Sequence, residues 1–253
     1  MLAQAHERNA FLSELNPPEF AMLRTHLAHF EMRAGESLHY FGDLIEDVVF
    51  PHSGLVALTM PLHDNPGAAA ILIGREGIVG AVPATASAPA TSDAEVHIGG
   101  PASRISAAAF RYIVDQNTTI RRRLARFTNA MLAHAQQTAL CHANHSVEAR
   151  ICRWLLEVQD RNGSSKVPLT QGTLAQMLGV RRTTVTLVAG RLEAAGVLKC
   201  RRGYVQIISQ EELARHSCEC DERVRSYMVA PPSEAASAHS ADDVRERSGR
   251  SAL

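Results

Sequence analysis

The sequence predicts an α+β protein built from three consecutive units, and three observations lead to that fold class. Residues 32–105 alternate short apolar runs with turns rich in Gly, Pro, Asp and Asn, which is typical of an all-β sandwich or barrel. From residue 110 a helical pattern continues for about 30 residues. Residues 169–208 then predict two short helices separated by a glycine, followed by two strands that flank a basic turn.

Composition is that of a soluble globular protein, since 45% of the 253 residues are hydrophobic. No apolar run reaches the ~20 residues that span a bilayer, and the first residues lack the basic and apolar regions of a secretory signal. We therefore expect a cytoplasmic protein with no membrane partner. The cysteines are odd in number and irregularly spaced, which argues against a disulfide framework and favours reduced thiols. They are Cys141, Cys152, Cys200, Cys218 and Cys220.

Charge is distributed unevenly although the net charge is zero. Residues 32–110 hold three Arg and no Lys against eight Asp and Glu, a net of −5. Residues 145–209 hold ten Lys and Arg against four acidic residues, a net of +6. This asymmetry indicates an electrostatic partner for the C-terminal part.

The chain before the strands predicts one short helix, in "NPPEFAMLRTHLAHF". Pro17 and Pro18 suit its start, and four large apolar residues share one face: Phe20, Leu23, Leu27 and Phe30. The strands themselves are expected in "DVVFP", "GLVALTM", "AAAILIG" and "AEVHIGG", and "AVPATASAPATSDAE" is expected to be a loop of small residues.

The long helix carries an apolar stripe with steps of seven, four, three and four, which is the a/d spacing of a coiled-coil seam. Its members are Ile113, Ile120, Leu124, Phe127 and Met131. Such a stripe packs either on the helix's own β unit or on a second subunit. A single small β unit covers only part of so long a helix, so we expect the stripe to be the seam of a homodimer.

The C-terminal unit begins with a further helix that Ser146 caps and Asn162-Gly163 ends. Its expected apolar face is Ile151, Trp154, Leu155 and Val158. The final residues, 223–253, are rich in Ala, Ser and charge without an apolar period, so a disordered tail is expected.

Residues 169–192 predict a helix-turn-helix, in which the second helix enters the DNA major groove. Thr170 is the expected cap of the first helix, Gly179 breaks it, and the second helix starts near Arg182. The expected buried positions are Leu174, Met177, Leu178, Val185, Val188, Ala189 and Leu192. After "AAGVL", the segment "KCRRGYVQII" predicts a β wing whose turn carries Lys199, Arg201, Arg202 and Gly203.

Taken together, these units resemble the Crp/Fnr superfamily of bacterial transcription regulators over roughly residues 15–215. The segment "AGESLHYFGDLIEDVVFPHSGLVAL" is similar to the opening of the family's β-roll, with Gly35, Gly42 and Gly54 as turn glycines. "LTQGTLAQMLGVRRTTVTLVAGRLEAAGVL" is similar to its helix-turn-helix. The resemblance implies a cyclic nucleotide-binding-like, jelly-roll-like antiparallel β-roll sensor (1–109), a dimerisation helix (110–144) and a winged helix-turn-helix (145–222).

The resemblance also implies roles in DNA binding. Three positions of the family's recognition helix read bases, commonly as Arg, Glu and Arg, and they fall here on Arg182, Thr183 and Leu187. Only Arg182 keeps the residue type that is common in the family, so we expect an operator different from the family's best-known one. The expected phosphate contacts, which set register rather than sequence, are Thr170, Arg181, Thr184, Arg191, Lys199, Arg201 and Arg202.

For the sensor, the resemblance points away from cyclic AMP bound in the usual mode. Gly80 matches the family's glycine, but Ala81 replaces the glutamate that takes the ribose hydroxyl, and no Lys or Arg occurs between Arg75 and Arg104. The N-terminal iron–sulfur cluster of oxygen-sensing members is excluded because no cysteine precedes Cys141. Haem ligation by a histidine such as His52 or His97 stays open.

The segment "RHSCEC" brings together three soft ligands, His216, Cys218 and Cys220, without a fourth ligand at a usual zinc spacing. Metal binding, redox chemistry and incidental thiols all remain alternatives there. No sequence motif of an enzyme is found. We therefore expect a homodimeric regulator of double-stranded DNA that contacts RNA polymerase if it is an activator. The alternative is a redox- or metal-responsive sensor whose winged domain contacts protein.

Overall fold

The structure is a computed structural model that describes residues 8–61 and 68–228. The N-terminal unit comprises α1 (Ala10–Ser13), α2 (Pro17–Arg24), β1 (Ala28–Met32), β2 (Ser37–His39), β3 (Asp47–Pro51), β4 (Leu55–Thr59), β5 (Ala69–Ile73), α3 (Ala81–Ala86), β6 (Asp93–Ile98) and β7 (Gly100–Ser106). Two helices follow, α4 (Ala107–Gln116) and α5 (Thr118–Asn144). The C-terminal unit comprises α6 (Val147–Asn162), β8 (Lys166–Val167), α7 (Gln171–Leu178), α8 (Arg182–Ala194), β9 (Leu198–Arg201), β10 (Tyr204–Ile207), α9 (Gln210–His216) and α10 (Cys220–Met228).

Two antiparallel sheets form the N-terminal unit, with strand orders β1-β7-β3 and β2-β6-β4-β5. Side chains from both sheets, among them Met32 and Val49 from one and Val56 and Val96 from the other, meet in a shared core. The turn glycines expected at 35, 42 and 54 all have φ between +85° and +87°, a region that residues with a Cβ rarely enter. The predicted α+β class and β-roll architecture are confirmed.

The prediction of one helix over 110–144 is wrong at Asn117, where the chain divides into α4 and α5. Asn117 has an extended backbone (φ −125°, ψ 108°), and its side-chain oxygen accepts hydrogen bonds from the amides of Thr119 and Ile120. This cap satisfies two of the free amides at the start of α5, which stabilises the bend between the two helices.

The predicted dimer seam is wrong for its first three residues. Ile113, Ile120 and Leu124 are at most 6% exposed and pack in one core with Phe50 and Phe110. The physical reason is that α1 and α2 extend the surface of the β unit, so that more of the long helix is covered than strands alone would cover. Phe127 and Met131 are half-buried on the same side. The stripe therefore faces the helix's own chain.

Two other expectations change in the N-terminal unit. The helix predicted from Pro17 ends at Arg24, and Phe30 lies instead in strand β1. The segment expected to be a loop contains the short helix α3, which buries Ala81 and Ala84. Small side chains do not indicate weak packing here, since Ala81 and Ala84 are at most 3% exposed.

The C-terminal unit packs directly on the outer face of the second sheet. Leu55, Ala57 and Leu72 point away from the β-roll core and join one apolar cluster with Trp154 of α6 and Leu178 of α7. Strand β4 is consequently buried on both faces, which explains its continuous apolar run "LVAL".

The predicted start of the disordered tail, residue 223, is wrong, because helix α10 continues past residue 222 to Met228. Val224 is 3% exposed, so burial of this side chain offsets part of the entropic cost of ordering the segment. The remainder of the predicted tail, residues 229–253, lies outside the described residues.

Candidate nucleic-acid interface

The first helix of the helix-turn-helix is fixed at both ends by its own sequence. The Thr170 hydroxyl accepts a hydrogen bond from the amide of Thr173 at 3.0 Å, which caps α7. Gly179 ends the helix at φ +62°, and a Cβ there would lie 3.1 Å from the Cβ of Ala68. The tight turn and the close approach to the β-roll therefore both require glycine.

The second helix, α8, has one buried and one exposed face, as the sequence predicts. Its buried side consists of Val185, Val188, Ala189 and Leu192, each at most 5% exposed. On the opposite side Arg181, Arg182 and Thr183 are exposed, and Leu187 is 65% exposed. Four of the predicted DNA-contacting residues, one of them a large apolar side chain, therefore lie on one exposed face in the first half of the helix.

Thr184 differs from its neighbours because it is half-buried. Thr186, which the sequence did not single out, is exposed, and its hydroxyl lies 2.8 Å from the Gln171 side-chain oxygen. This contact ties the start of α7 to the exposed face of α8. The only sequence signal for Gln171 is its place directly after the Thr170 cap.

The wing is a two-stranded hairpin in which Arg201 pairs with Tyr204, leaving Arg202 and Gly203 as a two-residue turn. Gly203, the second residue of this turn, has φ +85°, a conformation that glycine adopts at little cost. Lys199, Arg201 and Arg202 are all exposed. The wing thus adds three cations to the side of the molecule formed by the C-terminal unit.

Arg191, a predicted phosphate contact, has an acidic neighbour. Its guanidinium lies 3.5 Å from the Glu148 carboxylate, and Arg191 is 62% exposed. Exposed pairs of this kind are worth roughly 0–1 kcal/mol, so the arginine is readily available to another anion.

The β-roll and α5 enclose a cavity of about 440 Å³ that includes both predicted pocket residues, Gly80 and Ala81. Thr128, Met131 and Leu132 of α5 form part of its wall. Among the described residues that line it there is no Lys or Arg, and His39 is the single titratable side chain. Burial lowers the pKa of His39, against the opposing influence of Asp43 and Asp93.

Of the two histidines considered for haem, neither lines this cavity. His52 is 3% exposed, and its Nε2 lies 2.7 Å from the Ser103 hydroxyl. Burial lowers the pKa of His97, with Glu95 acting in the opposite direction.

A buried polar network joins the long helix, the C-terminal unit and the β-roll. Glu157 lies 2.6 Å from Arg161, 3.0 Å from Arg153 and 3.0 Å from the Nε2 of His134, and Arg161 also pairs with Glu76 at 2.7 Å. Burial would raise the pKa of Glu157, but Arg161, His134 and Arg153 together hold it well below its usual range. Arg153, Glu157 and Arg161 are spaced four residues apart on α6, but that spacing does not indicate that Glu76 and His134 join them.

The "RHSCEC" segment is only partly assembled as expected. His216 turns away and lies 3.2 Å from the Glu148 carboxylate. Cys218 and Cys220 instead lie beside Cys141 and His145, at the end of α5. Two of the three predicted ligands are therefore brought together, with two partners that the sequence did not indicate.

Comparisons with known proteins agree with this geometry. A family model described as a Crp-like helix-turn-helix domain matches residues 149–216. FixK2 from Bradyrhizobium japonicum superposes with a TM-score of 0.66 at 18% identity, covering 76% of this chain and 98% of that chain. TTHA1359, a Crp/Fnr-family transcriptional regulator from Thermus thermophilus, gives 0.63 at 20% identity, covering 75% and 98%.

The c-di-GMP-responsive global regulator CLP from Xanthomonas campestris gives a TM-score of 0.63 at 16% identity, covering 77% of this chain and 100% of that chain. No curated protein sequence matches the chain significantly. Within the described residues no helix combines the length and apolar character that a membrane crossing requires.

The chain carries a β-roll, a long helix and a winged helix-turn-helix in this order, and the helix-turn-helix lies within the residues that the family model matches. Residues 149–216 thus match the Crp-like helix-turn-helix domain, and the chain as a whole shares the fold of the solved FixK2 and TTHA1359 structures.

Proposed function

We propose that this protein is a homodimeric, sequence-specific DNA-binding regulator. The observation that carries the proposal is the exposed face of α8, where Arg181, Arg182 and Thr183 lie uncovered at the start of a helix whose other face is buried. The N-terminal residues of a recognition helix are the ones that meet base edges in the major groove. The exposed cations of the wing supply further contacts to phosphate.

In this proposal Arg182 reads a guanine through two parallel hydrogen bonds, and Thr183 contacts a thymine methyl or makes a single hydrogen bond. Leu187 offers no donor or acceptor, so it contributes only apolar contact. Arg181 and the wing residue Arg202 bind phosphates and fix the register of the helix. The operator therefore has fewer specified base pairs per half-site than three charged readers would give.

The dimer seam is proposed on the exposed face of α5 rather than on the stripe first predicted. Exposed residues recur there at alternating steps of four and three, which is again the spacing of a seam between helices. They are Ala125, Asn129, Leu132, Gln136, Ala139 and Ala143. Leu132 is 56% exposed and Leu140, beside the stripe, is 50% exposed. A second copy of α5 would remove these apolar side chains from water.

The cavity between the β-roll and α5 is the proposed effector site, and its chemistry favours an apolar molecule. A cyclic nucleotide would place a phosphate in a cavity whose described lining has no cation, at a cost of several kcal/mol. Leu132 lies both on the cavity wall and on the proposed seam. An occupant could therefore alter the packing of the two α5 helices and, through them, the spacing of the two recognition helices.

Selection of bound duplexes from a random pool, followed by anisotropy titrations at several salt concentrations, tests the DNA proposal. Arg182→Ala is expected to lose about 5–150-fold in affinity for the selected site, with the base preference lost at one position of each half-site. Arg202→Ala, the matched control, is expected to weaken all duplexes equally and to reduce the salt slope by about one.

Unchanged base preference in Arg182→Ala would refute its role as the reading residue. Absence of any duplex binding by the wild-type protein would favour the alternative, in which the winged domain contacts a protein.

Sedimentation velocity tests the seam. Leu132→Asp is expected to give monomers at concentrations where the wild type is dimeric, because it places a charge on an interface that would be desolvated. Leu187→Asp changes a similarly exposed leucine away from α5 and is expected to remain a dimer. Dimers of equal stability in both variants would place the seam elsewhere.

A further inference from the structure

Three cysteines and one histidine converge where the end of α5 meets the C-terminal helices. Cys141 and His145 are four residues apart, so they face the same side of the chain as α5 ends. Cys218 precedes α10 and Cys220 is its first residue. All three cysteines are buried, and the four ligand atoms lie within 4.8 Å of one another.

The distances match those of ligands around a single tetrahedral ion. Zinc bonds of about 2.3 Å to sulfur and about 2.0–2.1 Å to nitrogen imply ligand separations of about 3.8 Å between sulfurs and about 3.5 Å between sulfur and nitrogen. The Cys141 and Cys218 sulfurs are 3.6 Å apart, and the Cys220 sulfur lies 3.5 Å from the Nδ1 of His145. A cluster of several irons would hold its ligands farther apart, because iron and sulfide lie between them.

The surroundings also suit a metal site. The Nε2 of His145, on the far side of the ring, lies 3.4 Å from the Glu219 carboxylate, as is usual for a histidine that binds metal through its other nitrogen. The side-chain amide of buried Gln137 donates to the Cys220 sulfur at 2.9 Å. Both contacts orient a ligand and favour its metal-binding form.

Charge provides an independent observation. Arg150 is 8% exposed, and its Nε has no hydrogen-bond partner within the described chain. The Nε and Nη2 of Arg153, which is fully buried, lack partners among the same residues. Three thiolates around one divalent ion carry a net charge of −1. Such a centre beside these arginines would offset buried positive charge that is otherwise only partly compensated.

From these observations we infer that Cys141, His145, Cys218 and Cys220 bind one thiophilic divalent metal ion, with zinc the ion that best fits the ligand set. Four protein ligands leave no open position, so the site is structural or sensory rather than catalytic. The bound ion fastens α10 to the junction of α5 and α6. It therefore acts where the long helix meets the DNA-binding unit.

The test uses the full chain, purified under reducing conditions, treated with chelator and titrated with Co²⁺. Wild-type protein is expected to bind one Co²⁺ per chain with the visible absorption of tetrahedral thiolate coordination, and Zn²⁺ is expected to displace it and raise the melting temperature. The Cys218→Ser/Cys220→Ser double variant is expected to lose both effects. Cys200→Ser, which changes a thiol on the wing, is expected to retain both.

Glu219→Gln supplies a finer test, since this residue acts only by positioning His145. It is expected to weaken metal affinity by about 10–100-fold while the tetrahedral spectrum at saturation stays the same. This outcome does not depend on whether the cysteine variants fold.

Three results would overturn the inference. The first is the absence of a tetrahedral thiolate spectrum in folded wild-type protein, and the second is an equal spectrum in the double variant. The third is peptide mapping that finds Cys141 and Cys218 joined as a disulfide in freshly purified, reduced protein. None of them bears on DNA binding by α8, which the salt titrations measure separately.

Discussion

Replacing Glu157 by Gln removes the central charge of the buried network and changes little else. The carboxylate is 5% exposed and lies within 3.0 Å of Arg161, Arg153 and His134. After the change Arg161 keeps Glu76 as a partner at 2.7 Å. Arg153 is fully buried and would have no carboxylate within salt-bridge distance among the described residues. The variant therefore measures the cost of leaving buried Arg153, together with buried His134, without a carboxylate partner.

Removing one partner of a buried ion pair costs about 3–5 kcal/mol, because the remaining charge stays desolvated. For a chain of this size, each kcal/mol lowers the melting temperature by about 2–4 °C, which predicts a decrease of about 6–20 °C. Differential scanning calorimetry, with urea unfolding as a second measurement, would determine both quantities.

Asp47→Asn is the matched control, since it removes one carboxylate from an exposed pair with Arg104 at 3.3 Å. Exposed pairs are worth about 0–1 kcal/mol, so the control is expected to melt within about 4 °C of the wild type. If Glu157→Gln shifts the melting temperature no more than Asp47→Asn does, the network contributes no more than a surface pair and the reasoning is refuted.

Two further predictions concern the acid limb of stability and the glycines of the helix-turn-helix. Because the folded pKa of Glu157 is below its usual range, the unfolded chain takes up protons first as pH falls below about 5. The urea midpoint should therefore fall with pH in the wild type and less steeply in Glu157→Gln; parallel profiles would contradict this. Gly179→Ala forces a Cβ to φ +62° and should cost about 1–2 kcal/mol. Gly190→Ala, in open space within α8, should instead stabilise by up to about 1 kcal/mol, and equal urea midpoints for the two variants would oppose the assigned turn.

The local features of the DNA-binding unit could be predicted because each depends on residues near one another in sequence. Thr170 caps its own helix, Gly179 takes the turn that only a glycine adopts easily, and the buried face of α8 follows from a period of 3.6 residues. Position 182 is exposed for the same reason. Features of this kind can be predicted from sequence because they depend only on neighbouring residues.

The long helix shows where such reasoning fails. An apolar stripe through Ile120 and Leu124 indicates that one face of the long helix is buried, but it does not indicate which part of the protein covers that face. The covering surface comes from α1, α2 and strand β3, which are distant in sequence. The exposed stripe through Leu132 gives no apolar periodicity, because its members are small or polar at most positions.

By itself, the sequence determined the α+β class, the order of the three units and the residues that α8 exposes, since these depend on periodicity, caps and turn chemistry. Tertiary structure alone decided which face of α5 is buried and which charges surround Glu157. It also decided that Cys141 and His145 meet Cys218 and Cys220. The cysteine–histidine cluster brings together residues separated by more than seventy positions, and the packing of α10 against α5 sets their distance. The spacing of residues along the chain does not predict such contacts, because they are stabilised by packing between elements that are distant in sequence.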